Sequence, residues 1–228
     1  MSSLLKLPIL SLFCLTLLFQ PASAQVLQKG FAAGIHTGLS KAYTDVIDSD
    51  INPQLGASIQ YNFSDFTFAN FEYNRGKISR NEPDRYGRRY SNQTDRISLT
   101  ANMSLGELLK PHQRNAHLLR YSLYAGSGFG LVMSNFSGPN ALTSEGYGGV
   151  NYRGTDLVVP VTAGMTLRIG GGQYSPGPFF LNLNLQHHFS FTDMLDGYDP
   201  NNSNNKSYDA IAAFNIGLKY AFAEKRQY

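Results

Sequence analysis

From Ala212 to Phe222 the chain alternates between two faces. Phe214, Ile216, Leu218, Tyr220 and Phe222 make one, and Ala213, Asn215, Gly217, Lys219 and Ala221 make the other. Successive side chains of an extended strand point to opposite sides of a sheet, so a period of two reads as a strand with one apolar and one polar or small face. The pattern constrains the fold because it recurs at 29–39, 53–63, 65–77, 94–105, 119–134, 155–169 and 179–190. In 53–63, Leu55, Ala57, Ile59, Tyr61 and Phe63 oppose Gly56, Ser58, Gln60 and Asn62. In 179–190, Phe179, Leu181, Leu183 and Leu185 oppose Asn182, Asn184, Gln186 and His188. A soluble core would not easily accept that row, since each buried amide needs a partner, whereas a polar lumen takes it readily.

The connections sort the eight segments into an order. Those after odd strands, 40–52, 79–93, 135–154 and 191–207, are long, and those after even strands are mostly short, with 106–117 as the exception. Within 106–117, residues 107–110 before Pro111 can form one helical turn. Such alternation fits an all-β, eight-stranded antiparallel up-and-down transmembrane β-barrel whose N-terminus starts in the periplasm. Each strand is long enough to cross a thin bilayer at a tilt. A soluble lipocalin-like barrel or a β-sandwich is the alternative. Trp is absent, but 14 Tyr and 15 Phe can furnish the aromatic girdles of a membrane barrel.

Residues 1–24 read as a cleaved secretory signal peptide. Lys6 is the charged flank, 7–19 the apolar stretch, and Ala22-Ser23-Ala24 the cleavage site, leaving 25–228 as the barrel domain. Cys14, the one cysteine, lies in this leader and lacks the small preceding residue of a lipoprotein signal. Removing Lys6 leaves 18 of the 19 Lys and Arg against 16 Asp and Glu, a balance that argues against a nucleic-acid partner. Without a mature cysteine there is no disulfide or thiolate chemistry.

Four motifs carry a family resemblance. Asn215-x-Gly217-x-x-Tyr220-x-Phe222 resembles the C-terminal insertion signal of bacterial outer-membrane proteins. With residues 124–131, 158–161 and 191–197, the chain resembles the outer-membrane protein A transmembrane-domain superfamily in its Bacteroidetes form. The resemblance implies residence in the outer membrane, contact with lipid and lipopolysaccharide, and insertion by the barrel-assembly machinery. The 191–197 stretch is similar to one in small barrels of that phylum, including a subunit associated with type IX secretion, and departs from it at Met194.

Chemistry is sparsely signalled. Gly126, Gly128 and Gly130 alternate within a strand instead of opening a helix, so a phosphate cradle is not expected. A lipid A-modifying enzyme would need a nucleophile and a base at the outer boundary. His187, with Thr192 and Asp193 nearby, is the residue such a site would use, and an interfacial histidine is the simpler reading. His187 and His188 point to opposite faces and cannot share one metal ion without a bulge. Neither a catalytic set, a metal site nor a cofactor is expected. The inward face offers Glu72, Arg96, Arg168 and Lys219, which we expect to form an interior charge network in which Glu72 pairs with at least one cation. Eight strands leave an interior that side chains can fill, so the pore would be narrow or closed, a small ion channel beside Gly126, Gly128 and Gly130 being the alternative. The functional expectation is a non-enzymatic structural or surface-binding barrel displaying 79–93, 135–154 and 191–207. Association with a type IX-like secretion apparatus and lipid A modification are the alternatives.

Overall fold

The computed structural model describes residues 29–44, 49–64, 66–82, 90–104, 123–136, 142–143, 146–147, 152–172, 175–191, 195 and 209–222. The expected leader at 1–24, the helical turn at 107–110 and the tail 223–228 lie outside them. Eight strands form the wall: β1 (Gly30–Tyr43), β2 (Asn52–Asn62), β3 (Thr67–Arg80), β4 (Tyr90–Ser104), β5 (Leu123–Phe136), β6 (Tyr152–Gly172), β7 (Ser175–Ser190) and β8 (Ala210–Ala221). Each pairs antiparallel with its sequence neighbours, and β8 pairs with β1 from Ala32↔Ala221 to Tyr43↔Ala210. That last ladder closes the barrel and leaves the wall without a free edge. Two short strands, Leu142–Thr143 and Gly146–Tyr147, pair with each other within the β5–β6 connection.

The alternation read from the sequence determines which face each residue takes. Every strand carries exposed large apolar residues, among them Ile35, Leu55, Phe71, Leu99, Phe129, Leu157, Leu185 and Phe214. The alternating partners, such as Gln54, Ser58, Gln60, Asn74, Thr100, Asn102, Asn182 and Asn184, are buried inside. This inversion of the soluble pattern is the arrangement of a membrane barrel.

Several boundaries differ from the sequence expectation, and β1 runs on to Tyr43 within the expected 40–52 connection. The charged stretch 79–93 is not all loop: Ile78↔Asn92, Ser79↔Ser91 and Arg80↔Tyr90 continue the β3–β4 ladder, with Ile78 and Tyr90 buried. Its charge reads as a loop because strands that extend beyond an apolar belt carry polar outward residues, here Arg75, Lys77 and Asp95. Likewise β6 begins at Tyr152 and β7 at Ser175, so much of the expected 170–178 turn is strand, with a ladder irregularity between Ile169 and Gly171.

Close approach explains one interior glycine. A Cβ at Gly128 would stand 1.9 Å from the backbone oxygen of Leu99, so only glycine lets β5 lie there against β4. Across β5, Pro160 has no N–H to give, and the pairing skips from Ser127↔Val161 to Gly130↔Val158. The Ser127 hydroxyl donates to the Pro160 carbonyl at 2.9 Å beside this gap.

Candidate functional site: a polar interior between two apolar layers

The middle of the barrel is filled by hydrogen-bonded side chains. Glu72 of β3 is buried and accepts from Asn70 Nδ2 at 2.7 Å and from Gln186 Nε2. Lys219 of β8 donates to Gln60 Oε1 at 2.8 Å and to Asn70 Oδ1 at 3.4 Å. The two charges therefore communicate through the Asn70 amide, and the direct ion pair expected for Glu72 is not formed with Arg96, Arg168 or Lys219. The register explains this: Glu72 stands opposite Ser58 and Ser98, while Asn70 stands opposite Gln60, the residue Lys219 also reaches. Arg96 of β4 donates through Nη2 to Gln54 Oε1, and Gln54 Nε2 donates to Asn215 Oδ1 at 2.5 Å. Arg168 is set apart from the middle layer, its guanidinium 4.9 Å from the centre of the Phe180 ring.

Apolar layers bound this polar section. At the end bearing the 44–51, 81–89, 137–151 and 191–209 connections, Ala42, Ile78, Tyr90, Val132, Val158, Leu195 and Ile211 form one buried cluster. Leu195 comes from the β7–β8 connection and is 0% exposed. Its N–H donates to Asp209 Oδ2 at 2.7 Å, and its carbonyl accepts from Asn92 Nδ2 at 2.9 Å. At the other end Phe68 packs edge-on against Tyr124, with centroids 5.1 Å apart, and Phe180 is buried with Ala32 and Ala221. The Tyr124 hydroxyl accepts from Asn182 Nδ2 and Asn184 Nδ2, each at 3.0 Å. The lumen is thus occupied by its own side chains.

No protein-family model and no curated protein sequence matches the chain. Solved structures match by shape. Neisserial surface protein A superposes with a TM-score of 0.52 at 12% identity, covering 85% of this chain and 98% of that one. The fold is that of a small outer-membrane β-barrel. Two further barrels are similar at lower scores. The outer-membrane protein AlkL, solved in DMPC lipid bilayers, has a TM-score of 0.48 at 13% identity, covering 92% of this chain and 98% of that one. Ail of Yersinia pestis, solved with the heparin analogue sucrose octasulfate, has 0.46 at 14%, covering 86% and 100%.

The barrel places the four residues of the C-terminal pattern at three kinds of position. Asn215 is inside, bonded to Gln54. Gly217 makes room for a neighbour, since a Cβ there would stand 2.7 Å from His36 Cβ. Tyr220 and Phe222 are on the outer rim, with rings 5.2 Å apart, and Tyr220 also meets Phe179 at 5.3 Å. Phe222 N donates to Phe31 O at 2.8 Å, so the pattern ends where the closing ladder ends.

His187 lies on the outside between Tyr43 and Phe189, with centroid separations of 6.2 and 4.4 Å, while His188 is buried inside. Thr192 and Asp193 lie outside the described residues. Among the described residues no cluster of metal-ligating side chains forms. Sequence reasoning missed Leu195 and Asp209 as interior residues, together with the bridging roles of Gln54 and Gln186. Apolar residues in an otherwise polar connection, Phe191, Met194 and Leu195, were the available signal for Leu195.

Proposed function

We propose that this chain is a non-enzymatic integral outer-membrane protein, a closed barrel that presents its long connections at the cell surface. The observation that carries this reading is the combination of an apolar exterior on all eight strands with an interior filled by its own side chains between two apolar layers. The aromatic contacts Phe31–Tyr61, Tyr61–Phe63 and Phe179–Tyr220 at one end, and His187–Phe189 at the other, fit the two bilayer interfaces. The sidedness rests on the connections: the end with four long ones faces outward and the N-terminus of β1 faces the periplasm. Lipid and lipopolysaccharide are then the partners of the belt. The barrel-assembly machinery reads the closing strand through Asn215, Gly217, Tyr220 and Phe222.

Other readings have less support. The 191–197 motif that resembles a secretion-associated barrel has a use inside this one, because Leu195 seals the mouth. The Bacteroidetes assignment rests on the short sequence motifs alone. A channel beside Gly126, Gly128 and Gly130 would need space that β4 takes, since a Cβ at any of the three meets a backbone oxygen within 2.6 Å. For lipid A chemistry, the described neighbours of His187 are the rings of Tyr43 and Phe189.

The test is gel migration of the membrane-extracted protein before and after boiling, combined with conductance in planar bilayers. A compact unboiled form that inserts without steady conductance is expected. Identical boiled and unboiled mobility would remove the barrel from the membrane, and a stable open conductance would overturn the closed interior.

A further inference from the structure

The interior holds two buried cations whose hydrogen-bond chains end differently. From Lys219 one chain runs through the Asn70 amide to Glu72, so it starts on a positive charge and ends on a negative one. From Arg96 the chain runs through Gln54 to Asn215. A guanidinium can only donate. Gln54 must therefore turn its oxygen toward Arg96 and its N–H toward Asn215, and Asn215 must give its oxygen to Gln54. The chain ends on Asn215 Nδ2, which has no partner.

The same imbalance surrounds the head of the chain. Asn74 stands opposite Arg96 in the β3–β4 register and shares its Oδ1 with His36 Nε2 at 2.7 Å, leaving its Nδ2 without a partner. Arg96 itself keeps Nε and Nη1 unpartnered. Arg96, Asn74 and Asn215 are 2%, 1% and 3% exposed. Ser98, two residues along the same face from Arg96, has an unpartnered hydroxyl that can donate or accept. Among the described residues no carboxylate lies within ion-pair distance of Arg96, and both oxygens of Glu72 are engaged by Asn70 and Gln186. A buried charge needs a counter-charge or full hydrogen bonding, and the free amide groups of Asn74 and Asn215 beside Arg96 are N–H donors, while the buried His188 also keeps its Nδ1 unpartnered.

We infer that Arg96, with the amide N–H groups of Asn74 and Asn215, binds a small monovalent inorganic anion of the chloride class inside the barrel. Glu72 acts on Arg96 only from a distance, and a guanidinium without a carboxylate in contact calls for one negative charge. Glycine at 38 and 56 leaves room for these two amides, since Cβ atoms there would stand 2.4 Å from Asn215 Oδ1 and 2.7 Å from Asn74 Oδ1. This site is independent of what the surface connections bind.

The test uses the full barrel in detergent micelles, melted in sodium chloride and in sodium gluconate at equal ionic strength. An anion that binds only the folded state raises the melting temperature by a few degrees for each tenfold rise in concentration once the site fills. The wild type is expected to respond to chloride and not to gluconate. Asn215→Asp places a carboxylate in the Arg96 chain and is expected to melt equally in both salts. Identical wild-type melting in the two salts means that only water solvates Arg96, and it overturns the assignment. A chloride response that survives in Asn215→Asp also overturns it. If that variant does not fold, wild-type crystals grown in bromide decide: an anomalous peak beside Arg96 upholds the site and its absence sinks it.

Discussion

The side-chain amide of Asn92 donates to the main-chain carbonyl of Leu195 at 2.9 Å, joining residues 103 positions apart. Asp209 accepts the Leu195 N–H, so both backbone polar groups of this residue are satisfied by the barrel. Its side chain is wholly buried against Ile78, Tyr90, Val132, Val158 and Ile211. By packing and hydrogen bonding, a residue of the β7–β8 connection belongs to the interior.

Leu195→Ala is accordingly expected to lower the unfolding free energy by about 2–5 kcal/mol, the range for a buried leucine truncated to alanine. Urea titration of the detergent-folded protein measures this. An unchanged midpoint would mean that the side chain contributes no packing at the mouth.

Glu72→Gln removes the carboxylate on which Asn70, Gln186 and, one step further, Lys219 depend. A loss of about 1–3 kcal/mol is expected, the usual penalty for leaving a buried polar group poorly satisfied. Combining it with Lys219→Met should cost less than the two single losses added together, because the cation that lost its counter-charge is then gone. Strict additivity in that double-mutant cycle would show the two charges to be uncoupled.

Gly128→Ala forces a methyl group to 1.9 Å from the Leu99 backbone oxygen, where no flexible side chain can yield. The expected cost is roughly 1–3 kcal/mol, as for other overpacked sites. Gly76→Ala, whose methyl would meet Gln54 Cβ at 3.0 Å, should be milder. Equal melting temperatures for the two variants would count against close β4–β5 approach as the reason for Gly128.

Phe222→Ala should reduce the amount of barrel in the membrane, while removal of residues 223–228 should leave it unchanged. Phe222 adds the hydrogen bond to Phe31 and the rim ring beside Tyr220. Quantitative blotting of outer-membrane fractions separates the two, and normal levels of the Phe222 variant would end its role in insertion.

Most of the wall was legible because strand alternation is a local property. Whether Asn182 and Leu183 face in or out depends on the pleat and on which face meets lipid, and both follow from a period of two. The ends of β3 and β4 were hidden because Arg80 and the neighbouring charged residues look like loop once the apolar belt has ended. The partner of Glu72 from another strand was not legible. Asn70 stands two residues before it on the same face of β3, but which residue meets it across the lumen depends on the stagger of eight strands, and that stagger puts Gln186 at the carboxylate.

The sequence by itself determined the number of strands, the facing of their side chains and the polarity of the interior, since each of these repeats every two residues. Only the tertiary structure decided that Lys219 has a relay to Glu72 while the Arg96 chain stops at an N–H, and that Leu195 is buried against Ile78, Val132 and Ile211. Those contacts join residues up to 161 positions apart, and no local pattern encodes them. They exist because closing β8 on β1 sets the register of the whole barrel and thereby the height at which each inward side chain stands.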